Sequence, residues 1–419
     1  MFGAGAKLAA MSVEIRTCTP DRWDEMLTMV DGVFAENPPP EALGRFKSVS
    51  DLDRFLTALD RDRVVGAGGV LTLQMTVPGG TVPAGGVTLV GVMPTHRRQG
   101  VMSSIMRRLI DDCHARGEPV AILWASEGAI YQRFGYGLAT ASYNLEADTR
   151  YAKLTRDWPR EGSFRMLAAQ DAATVIAPIY EKARSARPGF LGRNGVWWRR
   201  IVEDHDPARR EDHKRIVVFE TGDGPEAYAV YCQKIDWDYR GSIGTVKVLE
   251  AIGSTPRGTR EIWRYLMGID LTQTVKAWTL PADHPIFALM AEPRRLGVTV
   301  GDALWLRIVD VVRALEGRRY GLAGSATGRI VMELRDDYCP WNEGRWQLEV
   351  ADGVGRLQRS QSEPDLALDA NDLGSIYLGG FTVAGLAQAG RIVELRSGGL
   401  AAADALFRGA LQPWCPEEF

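Results

Sequence analysis

The chain has 419 residues, with 50 Lys and Arg against 53 Asp and Glu, and 45% of its residues are hydrophobic. At about 100–200 residues per domain, this length predicts about two to four domains. The composition excludes collagen-like, coiled-coil and intrinsically disordered proteins, and a formal net charge of −3 gives no general electrostatic reason to bind nucleic acid or an anionic membrane.

The cysteines and histidines predict neither a disulfide framework nor a metal site. The five cysteines form no CxxC pair, and the five histidines form no HxH or HExxH pattern. The amino-terminal stretch is too weakly apolar for a signal peptide, and no apolar run reaches the roughly 18 residues that span a bilayer. We therefore expect a cytoplasmic protein, in which residues 1–10 are an extension if the natural start is Met11.

Strands and helices alternate through the first third of the chain. The predicted elements before residue 100 are a strand at 12–18, a helix at 20–36, a loop at 37–41 (NPPPE), and strands at 63–73 and 86–93 joined by the turn signals VPGG and VPAGG. Residues 101–116 are apolar on one side and largely charged or polar on the other, which is the 3.6-residue period of a helix. Residues 120–125 form a continuous apolar run, typical of a central parallel strand.

The middle third repeats this alternation, and the last third mixes strands with short helices. The middle elements are strands at 215–219, 227–233 and 245–251 and a helix at 259–268. The later elements are a helix at 304–315, strands at 328–334, 345–350 and 355–359, and short helices at 369–373, 383–389 and 401–407. Residues 248–270 resemble residues 90–112 in order (strand, Pro, Arg, amphipathic helix), which indicates a weak internal repeat whose second copy lacks the paired arginines.

The sequence RRQGVM at 97–102 joins a Val-rich strand to the helix at 101–116. The start of a helix presents unpaired N–H groups and the positive end of the helix dipole, and Gly100 lets the backbone approach an anion closely. The two arginines add forked donors for phosphate oxygens, and Ser103 adds a hydroxyl group. The alternative is a solvated basic loop, but its place between a strand and a periodic helix favours a pyrophosphate site.

This strand, loop and helix resemble the R/Q-x-x-G-x-G/A coenzyme A loop of the GNAT superfamily of N-acetyltransferases. Met102 stands where that superfamily has Gly or Ala. The stretch WASEGAIYQRFGY at 124–136 resembles the strand, short helix and Y-x-x-x-G-F element of the same superfamily. The motifs V-x-P-T-H-R-R-x-G and A-S-E-G-x-I-Y-x-R-F-G-Y, in a chain that ends in Phe419, are similar to the Eis (enhanced intracellular survival) family of acetyltransferases.

The resemblance to the Eis family implies the organisation of nearly the whole chain. It implies an α/β (α+β) fold of tandem GNAT units, each a mixed sheet flanked by helices, followed by a sterol-carrier-like α/β domain. The active GNAT domain is expected at 1–150, a degenerate second GNAT domain at 151–300, and the sterol-carrier-like domain with a catalytic tail at 301–419. The family also implies a homo-oligomer, expected to be a hexamer.

The same resemblance implies roles for individual residues. Tyr131 is the expected general acid, and the terminal carboxylate of Phe419 is the expected general base. Asp31 and Glu418 are expected to bind the amine substrate. The residues expected to bind acetyl-CoA are Val90, Gly91, Val92, Arg97, Arg98, Gln99, Gly100, Val101, Met102, Ser103, Ser126 and Glu127.

The residues alone leave two of these roles open. A phenol with a pKa near ~10 can protonate a departing thiolate, but Tyr131 is equally compatible with a packed core aromatic, and Tyr136 is its rival. An α-carboxyl has a pKa near about 3.5 in water, too low for an efficient base unless burial or a neighbouring Glu417 or Glu418 raises it. Chain ends usually fray, but the prolines in PWCP at 413–416 favour a docked tail.

We therefore predict a cytoplasmic N-acetyltransferase that uses acetyl-CoA as co-substrate, needs no metal, and acetylates aminoglycosides, other polyamines or lysine side chains. The alternative is a lipid-binding or partner-modulating protein with vestigial acetyltransferase activity. The complete RRQG loop of the first unit favours the enzyme. The stretch DLALDANDL from Asp365 is acidic, which favours a scaffold role over lipid binding for the third domain.

Overall fold

The structure, a computed structural model, describes residues 13–35, 44, 46–204, 213–322 and 324–419. The predicted proline-rich loop and the possible amino-terminal extension lie outside these residues. The fold is mixed α/β, as predicted, and the described residues form two seven-stranded sheets, a five-stranded sheet and a two-stranded ribbon. Within the same ranges, no helix is both long and apolar enough to cross a membrane.

The first unit is a seven-stranded sheet in the order β1-β2-β3-β4-β5-β16-β6. Its elements are β1 Glu14–Thr17, α1 Trp23–Phe34, β2 Phe55–Asp60, β3 Arg63–Val77, β4 Gly80–Val92, α2 Val101–Ala115, β5 Val120–Trp124, α3 Gly128–Gln132, β6 Gly137–Leu138 and β16 Leu304–Ile308. Most neighbouring strands are antiparallel, but β4 and β5 are parallel and are connected through α2. The helix predicted at 101–116 therefore lies where the sequence places it.

The β3–β4 hairpin is longer than the sequence predicts. Only the VPGG turn forms, and the VPAGG segment lies inside β4, with Pro83 opposite Gln74 of β3. The predicted turn there is wrong because its glycines serve close packing instead. A Cβ at Gly85 would collide with the sulfur of Cys113, and one at Gly86 would lie 3.1 Å from the ring of Phe419.

The helix predicted at 304–315 is also wrong over its first half. Residues Leu304–Ile308 form β16, which pairs antiparallel with both β5 and β6, and the helix α8 begins only at Val311. All five residues of β16 are buried because the strand is inserted between two others in the sheet. A strand covered on both faces loses the alternation of apolar and polar residues that would distinguish it from a buried helix.

The second unit is a seven-stranded sheet in the order β15-β7-β14-β13-β10-β9-β8. Its elements are β7 Ala141–Asp148, β8 Ser163–Leu167, α4 Ala169–Ala186, α5 Gly195–Val202, β9 Arg215–Thr221, β10 Gly224–Lys234, the ribbon β11 Trp237–Asp238 with β12 Gly241–Ser242, β13 Gly244–Gly253, α6 Pro256–Met267, β14 Thr272–Leu280, α7 Ile286–Leu289 and β15 Thr299–Asp302. The predicted internal repeat is present, since β13 and β14 are parallel and flank α6 as β4 and β5 flank α2.

The two large sheets exchange strands near the predicted domain boundaries of 150 and 300. The strand β7, which lies before residue 150, pairs within the second sheet between β14 and β15. The strand β16, which follows residue 300, returns to the first sheet. Each of the first two units therefore takes one strand from beyond a predicted boundary. A division at residue 150 would assign β7 to the first domain, and a division at residue 300 would assign β16 to the third domain.

The third unit packs a five-stranded sheet, in the order β19-β18-β17-β20-β21, against short helices. Its elements are α8 Val311–Glu316, β17 Gly328–Arg335, β18 Gly344–Ala351, β19 Val354–Arg359, β20 Leu366–Asp369, α9 Ala370–Tyr377, α10 Val383–Gln388, β21 Val393–Glu394 and α11 Gly399–Phe407. The buried guanidinium of Arg318 donates 3.0 Å to the carbonyl of Phe407 and also to that of Tyr377, so a single cation binds the carboxyl ends of α9 and α11.

The third unit also contacts α2. The hydroxyl of Tyr338 donates 2.8 Å to the carbonyl of Ser103, and the ring of Trp341 stacks 4.3 Å from that of His114. A buried ion pair of 2.7 Å joins Arg307 of β16 to Asp336. These contacts hold the third unit against the first, and its last segment, residues 408–419, then runs back toward the first sheet.

Candidate active site

The strands β4 and β5 separate at one end of the first sheet. Their parallel pairing covers only Ala84–Gly86 with Val120–Ile122, although β4 continues to Val92. The register of β4 against β3 shifts nearby, and Leu89 has a φ of +53°, which marks a bulge. On the side of β4 that faces β5, residues 87–92 therefore have backbone groups without a strand partner, and an extended ligand can bind them.

The loop after β4 carries the predicted anion site. Both Arg98, with a φ of +62°, and Gly100, with a φ of +84°, adopt left-handed backbone conformations that turn the chain sharply into α2. The first turn of α2 has no side-chain cap, and a Cβ at Gly100 would meet nothing within 4 Å. The start of α2 therefore has no capping side chain and has open space beside Gly100, as an anion site requires.

The two arginines of the loop have different surroundings. Both are exposed, but the Nε of Arg97 donates 3.2 Å to the carbonyl of Val92 and so braces the loop. Gln99 donates 3.2 Å to the carbonyl of Thr95 and has the same bracing role. Arg98 and the terminal nitrogens of Arg97 can therefore both reach an incoming phosphate, and Arg98 does not also brace the loop.

The side chain of a third arginine, Arg133, reaches the start of α2. The sequence alone does not identify this residue. The Nη2 of Arg133 lies 3.7 Å from the sulfur of Met102, the residue that stands where the superfamily has Gly or Ala. Arg133 is exposed and follows α3 directly. Its only signal in the sequence is its position two residues after Tyr131, which gives no indication that it reaches α2.

Tyr131 lies in the short helix α3. This helix begins directly after Ser126 and Glu127, two exposed residues that follow β5. The side chain of Tyr131 is 5% exposed, and its ring meets that of Tyr136 edge-on at 6.1 Å. Burial raises the pKa of Tyr131, a hydrogen bond with Ser126 opposes this rise, and the charge of Glu127 adds to it. The phenol therefore keeps its proton at neutral pH.

Tyr136, the rival phenol, has no exposed surface. Its hydroxyl has no hydrogen-bond partner among the residues that the structure describes, and burial raises its pKa well above the ordinary value. A substrate would have to open the core to reach it. Of the two phenols, only Tyr131 retains an accessible surface.

The carboxyl-terminal tail ends where β4 and β5 separate. The ring of Phe419 packs against Gly86, the last residue of β4 that pairs with β5, and it contacts the same apolar cluster as Leu89 and Trp124. The indole Nε1 of Trp124 donates 2.8 Å to the carbonyl of Glu417. The terminal residue is therefore docked at the end of β5, on the side of the sheet opening.

The two predicted substrate residues lie apart in the sequence and on different elements. Glu418 has an exposed side chain, and its carbonyl accepts a hydrogen bond of 3.2 Å from Arg200. Asp31 is half-buried in the last turn of α1, next to Val33, whose side chain lies 3.4 Å from the position of a Cβ on Gly91. Both residues thus belong to elements that reach the open end of β4 and the tail.

The corresponding helix start in the second unit is closed by its own residues. The hydroxyl of Thr255 accepts from the N–H of Gly258 at 2.9 Å and so caps α6. Arg257 is held by Glu226, and hydrogen bonds from this arginine are the main cause that lowers the pKa of Glu226 to about 2. A Cβ at Gly258 would lie 2.8 Å from the carbonyl of Glu226. The second unit therefore lacks the open anion site of the first.

Comparisons with known proteins agree with this architecture. Residues 14–139 and 189–308 match models of acetyltransferase (GNAT) domains, and residues 311–416 match a sterol carrier protein domain. An uncharacterized N-acetyltransferase of Streptomyces avermitilis is 37% identical over 98% of this chain and 100% of its own length. The N-acetyltransferase Eis of Mycobacterium tuberculosis is 32% identical over 95% of this chain and 97% of its own length.

Among solved structures, Eis1 from Mycobacterium abscessus superposes with a TM-score of 0.83 at 31% identity, covering 97% of this chain and 100% of its own. The resemblance to the Eis family and the predicted tandem GNAT fold are thereby confirmed. The chain belongs to the Eis family of GNAT N-acetyltransferases, and it is an N-acetyltransferase.

Proposed function

We propose that this Eis-family enzyme transfers the acetyl group of acetyl-CoA directly to a primary amine of an aminoglycoside, another polyamine or a lysine side chain. Tyr131 is the general acid, and the terminal carboxylate of Phe419 is the general base. The observation that carries the proposal is the docking of Phe419 on Gly86, where β4 and β5 separate.

The hydrogen-bond donors and backbone groups at this end of the first sheet suit acetyl-CoA. The backbone of residues 90–92 binds the extended pantetheine arm, because this part of β4 has no partner on its β5 side. The loop and helix start at residues 97–103, with Ser126 and Glu127 across the opening, bind the rest of the molecule. The pyrophosphate lies at the uncapped start of α2, where N–H groups and Arg98 supply donors.

The chain's own groups move two protons. Acetyl-CoA supplies the activated acetyl group, so a C–N bond forms to the amine and the C–S bond breaks. The Phe419 carboxylate accepts the proton that the substrate ammonium group must lose before its nitrogen can attack, and Tyr131 donates a proton to the departing sulfur. The side chains of Asp31 and Glu418 attract the cationic amine to the site.

The proposal predicts that Arg98→Ala weakens acetyl-CoA binding without changing the fold. Arg98 is exposed and makes no contact that the core needs, while a charge-assisted hydrogen bond is worth about 1.5–3 kcal/mol. The dissociation constant should therefore rise by about 10- to 100-fold. Isothermal titration calorimetry with acetyl-CoA measures this change, and it should also report one site per chain, because α6 is capped in the second unit.

Arg165→Ala is the matched control, since this exposed arginine of the second unit pairs with Glu220 at the surface. Its acetyl-CoA affinity should equal that of the unmodified protein. Equal affinities for Arg98→Ala and the control would contradict the assignment of the loop.

The substrate class is tested by turnover. Release of free CoA thiol is measured with acetyl-CoA and a panel of aminoglycosides, linear diamines and lysine peptides, and mass spectrometry locates the added acetyl group. We expect thiol release that depends on the amine, with the best acceptors carrying several cationic groups. A protein that releases no thiol with any of these amines would contradict the proposed function.

A further inference from the structure

A buried ion cluster joins the tail to the second unit. The side chain of Arg193 is 1% exposed and lies between the carboxylates of Glu417 and Glu250, which are 2% and 4% exposed. The Nε of Arg193 donates 2.7 Å to Glu417, and its Nη1 donates 3.1 Å to Glu250. An unpaired charge in the interior is strongly destabilising, so this cluster holds its members in one geometry.

Tyr180 of α4 completes the cluster around the tail. Its hydroxyl is hydrogen-bonded to the carboxylate of Glu417 and lies 2.6 Å from the carbonyl of Leu191, and the guanidinium of Arg193 lies 3.8 Å above its ring. Burial raises the pKa of Glu417, and the charge of Arg193 opposes this rise. Glu417 is thus bound from two elements of the second unit.

The segment that carries Arg193 is itself attached to the first sheet. Residues 189–192 make three backbone hydrogen bonds of 2.8 Å with residues 74–76 of β3. On its other side, the carbonyl of Pro188 accepts a hydrogen bond of 2.8 Å from the N–H of Trp414 in the tail. Arg193 therefore has a fixed position relative to both the tail and the first sheet.

We infer that Arg193 is a positioning residue for the terminal carboxylate and that it acts through Glu417. This inference rests on the proposed function, because it assigns the second GNAT unit, whose own helix start is capped, a part in the reaction: that unit holds the base of the first unit in place. Two residues separate Glu417 from the chain end, and each spans at most about 3.3–3.6 Å, so a released Glu417 lets the carboxylate move by several ångströms.

Glu417→Ala is the principal test. It removes the tail's anchor but leaves Arg193 paired with Glu250, so the second unit keeps its fold. We expect kcat with an amine to fall by about 10- to 100-fold, because a misplacement of about 1 Å can cost that much. Acetyl-CoA affinity should not change. Glu417→Gln retains an oxygen that accepts from Arg193 and Tyr180, and it should recover most of the lost kcat.

A double-mutant cycle with Arg193→Met tests whether the arginine acts through Glu417. If it does, adding Arg193→Met to Glu417→Ala should lower kcat no further, whereas independent residues would give additive effects. Arg391→Met is the control for general destabilisation. It removes the partner of the buried Asp372 in the third unit, at 2.7 Å and away from the tail, and its kcat should remain unchanged.

Deletion of Phe419 separates this inference from the proposed function. Loss of activity in that deletion together with an unaffected Glu417→Ala variant would overturn the role of Arg193 and leave the terminal base in place. Full activity in the deletion would overturn both. A drop in kcat for Arg391→Met as large as that for Glu417→Ala, at the same loss in melting temperature, would reduce the role of Arg193 to stability alone.

Discussion

Tyr131→Phe should lower turnover by about 10²–10⁴-fold, the range for the loss of a general acid, while the melting temperature hardly changes. The substitution removes one oxygen atom and keeps the ring that packs edge-on against Tyr136. The hydroxyl lies at the end of β5, next to Ser126, so its loss leaves no deep cavity in the core. Turnover under saturating acetyl-CoA and amine measures the effect.

The pH dependence should follow from the direction of the Tyr131 pKa. Burial raises this pKa, so the phenol remains protonated across the neutral range and up to a pH above its ordinary value of about 10. Loss of the acid should therefore not limit the rate between about pH 7 and 9. Any fall in kcat of the unmodified enzyme within that range must come from another group.

Tyr136→Phe is the matched control for the phenol. It makes the same chemical change five residues along the chain, where the hydroxyl is fully buried and has no hydrogen-bond partner among the described residues. Removal of that hydroxyl should leave both activity and stability near their original values. A loss of turnover in Tyr136→Phe with none in Tyr131→Phe would show that the acid is the other phenol.

The sequence predicts the first unit well because its signals there are local. The helix predicted at 101–116 is Val101–Ala115 in the structure, and the strand predicted at 120–125 is Val120–Trp124. The helix follows from the period of its apolar residues and the strand from a short continuous apolar run, and both signals lie within one element. The open start of α2 follows from the same boundary, because Gly100 ends the loop and begins the helix.

The contacts that place the tail have no such signal. Arg193, Tyr180 and Glu250 lie 224, 237 and 167 residues before Glu417, and each occurs in a stretch with an ordinary pattern. The strand β16 was missed for a related reason, since its burial on both faces results from insertion between β5 and β6. Both features arise from pairing between distant segments, which periodicity within a window cannot reveal.

Extension of the chain by a few residues beyond Phe419 should abolish amine acetylation. The extension converts the terminal carboxylate into a neutral amide and adds bulk at the point where the Phe419 ring packs on Gly86. The proposed acetyl-CoA site is at the start of α2 and does not include the tail, so the affinity for acetyl-CoA should not change. Turnover of the amine and calorimetry with acetyl-CoA measure the two effects separately.

Deletion of Phe419 should have the same result by a different route. The shortened chain still ends in a carboxylate, now on Glu418. This carboxylate lies about 3.3–3.6 Å from the original position of the Phe419 carboxylate, which is the length of one residue in an extended chain. The tail upstream remains bound through Glu417 to Arg193, so the shortened end cannot slide forward to compensate. Proton transfer needs hydrogen-bond distance, and a gap of this size removes it.

A tag of equal length at the amino terminus is the control for both variants, and it should leave turnover unchanged. If the carboxyl-terminally extended enzyme acetylates amines at the rate of this control, the terminal carboxylate is not the base. The exposed side chain of Glu418, which survives the extension, would then be the nearest carboxylate in sequence to take that role. Glu418→Gln in the extended enzyme would identify it, because only a side-chain base is lost by that substitution.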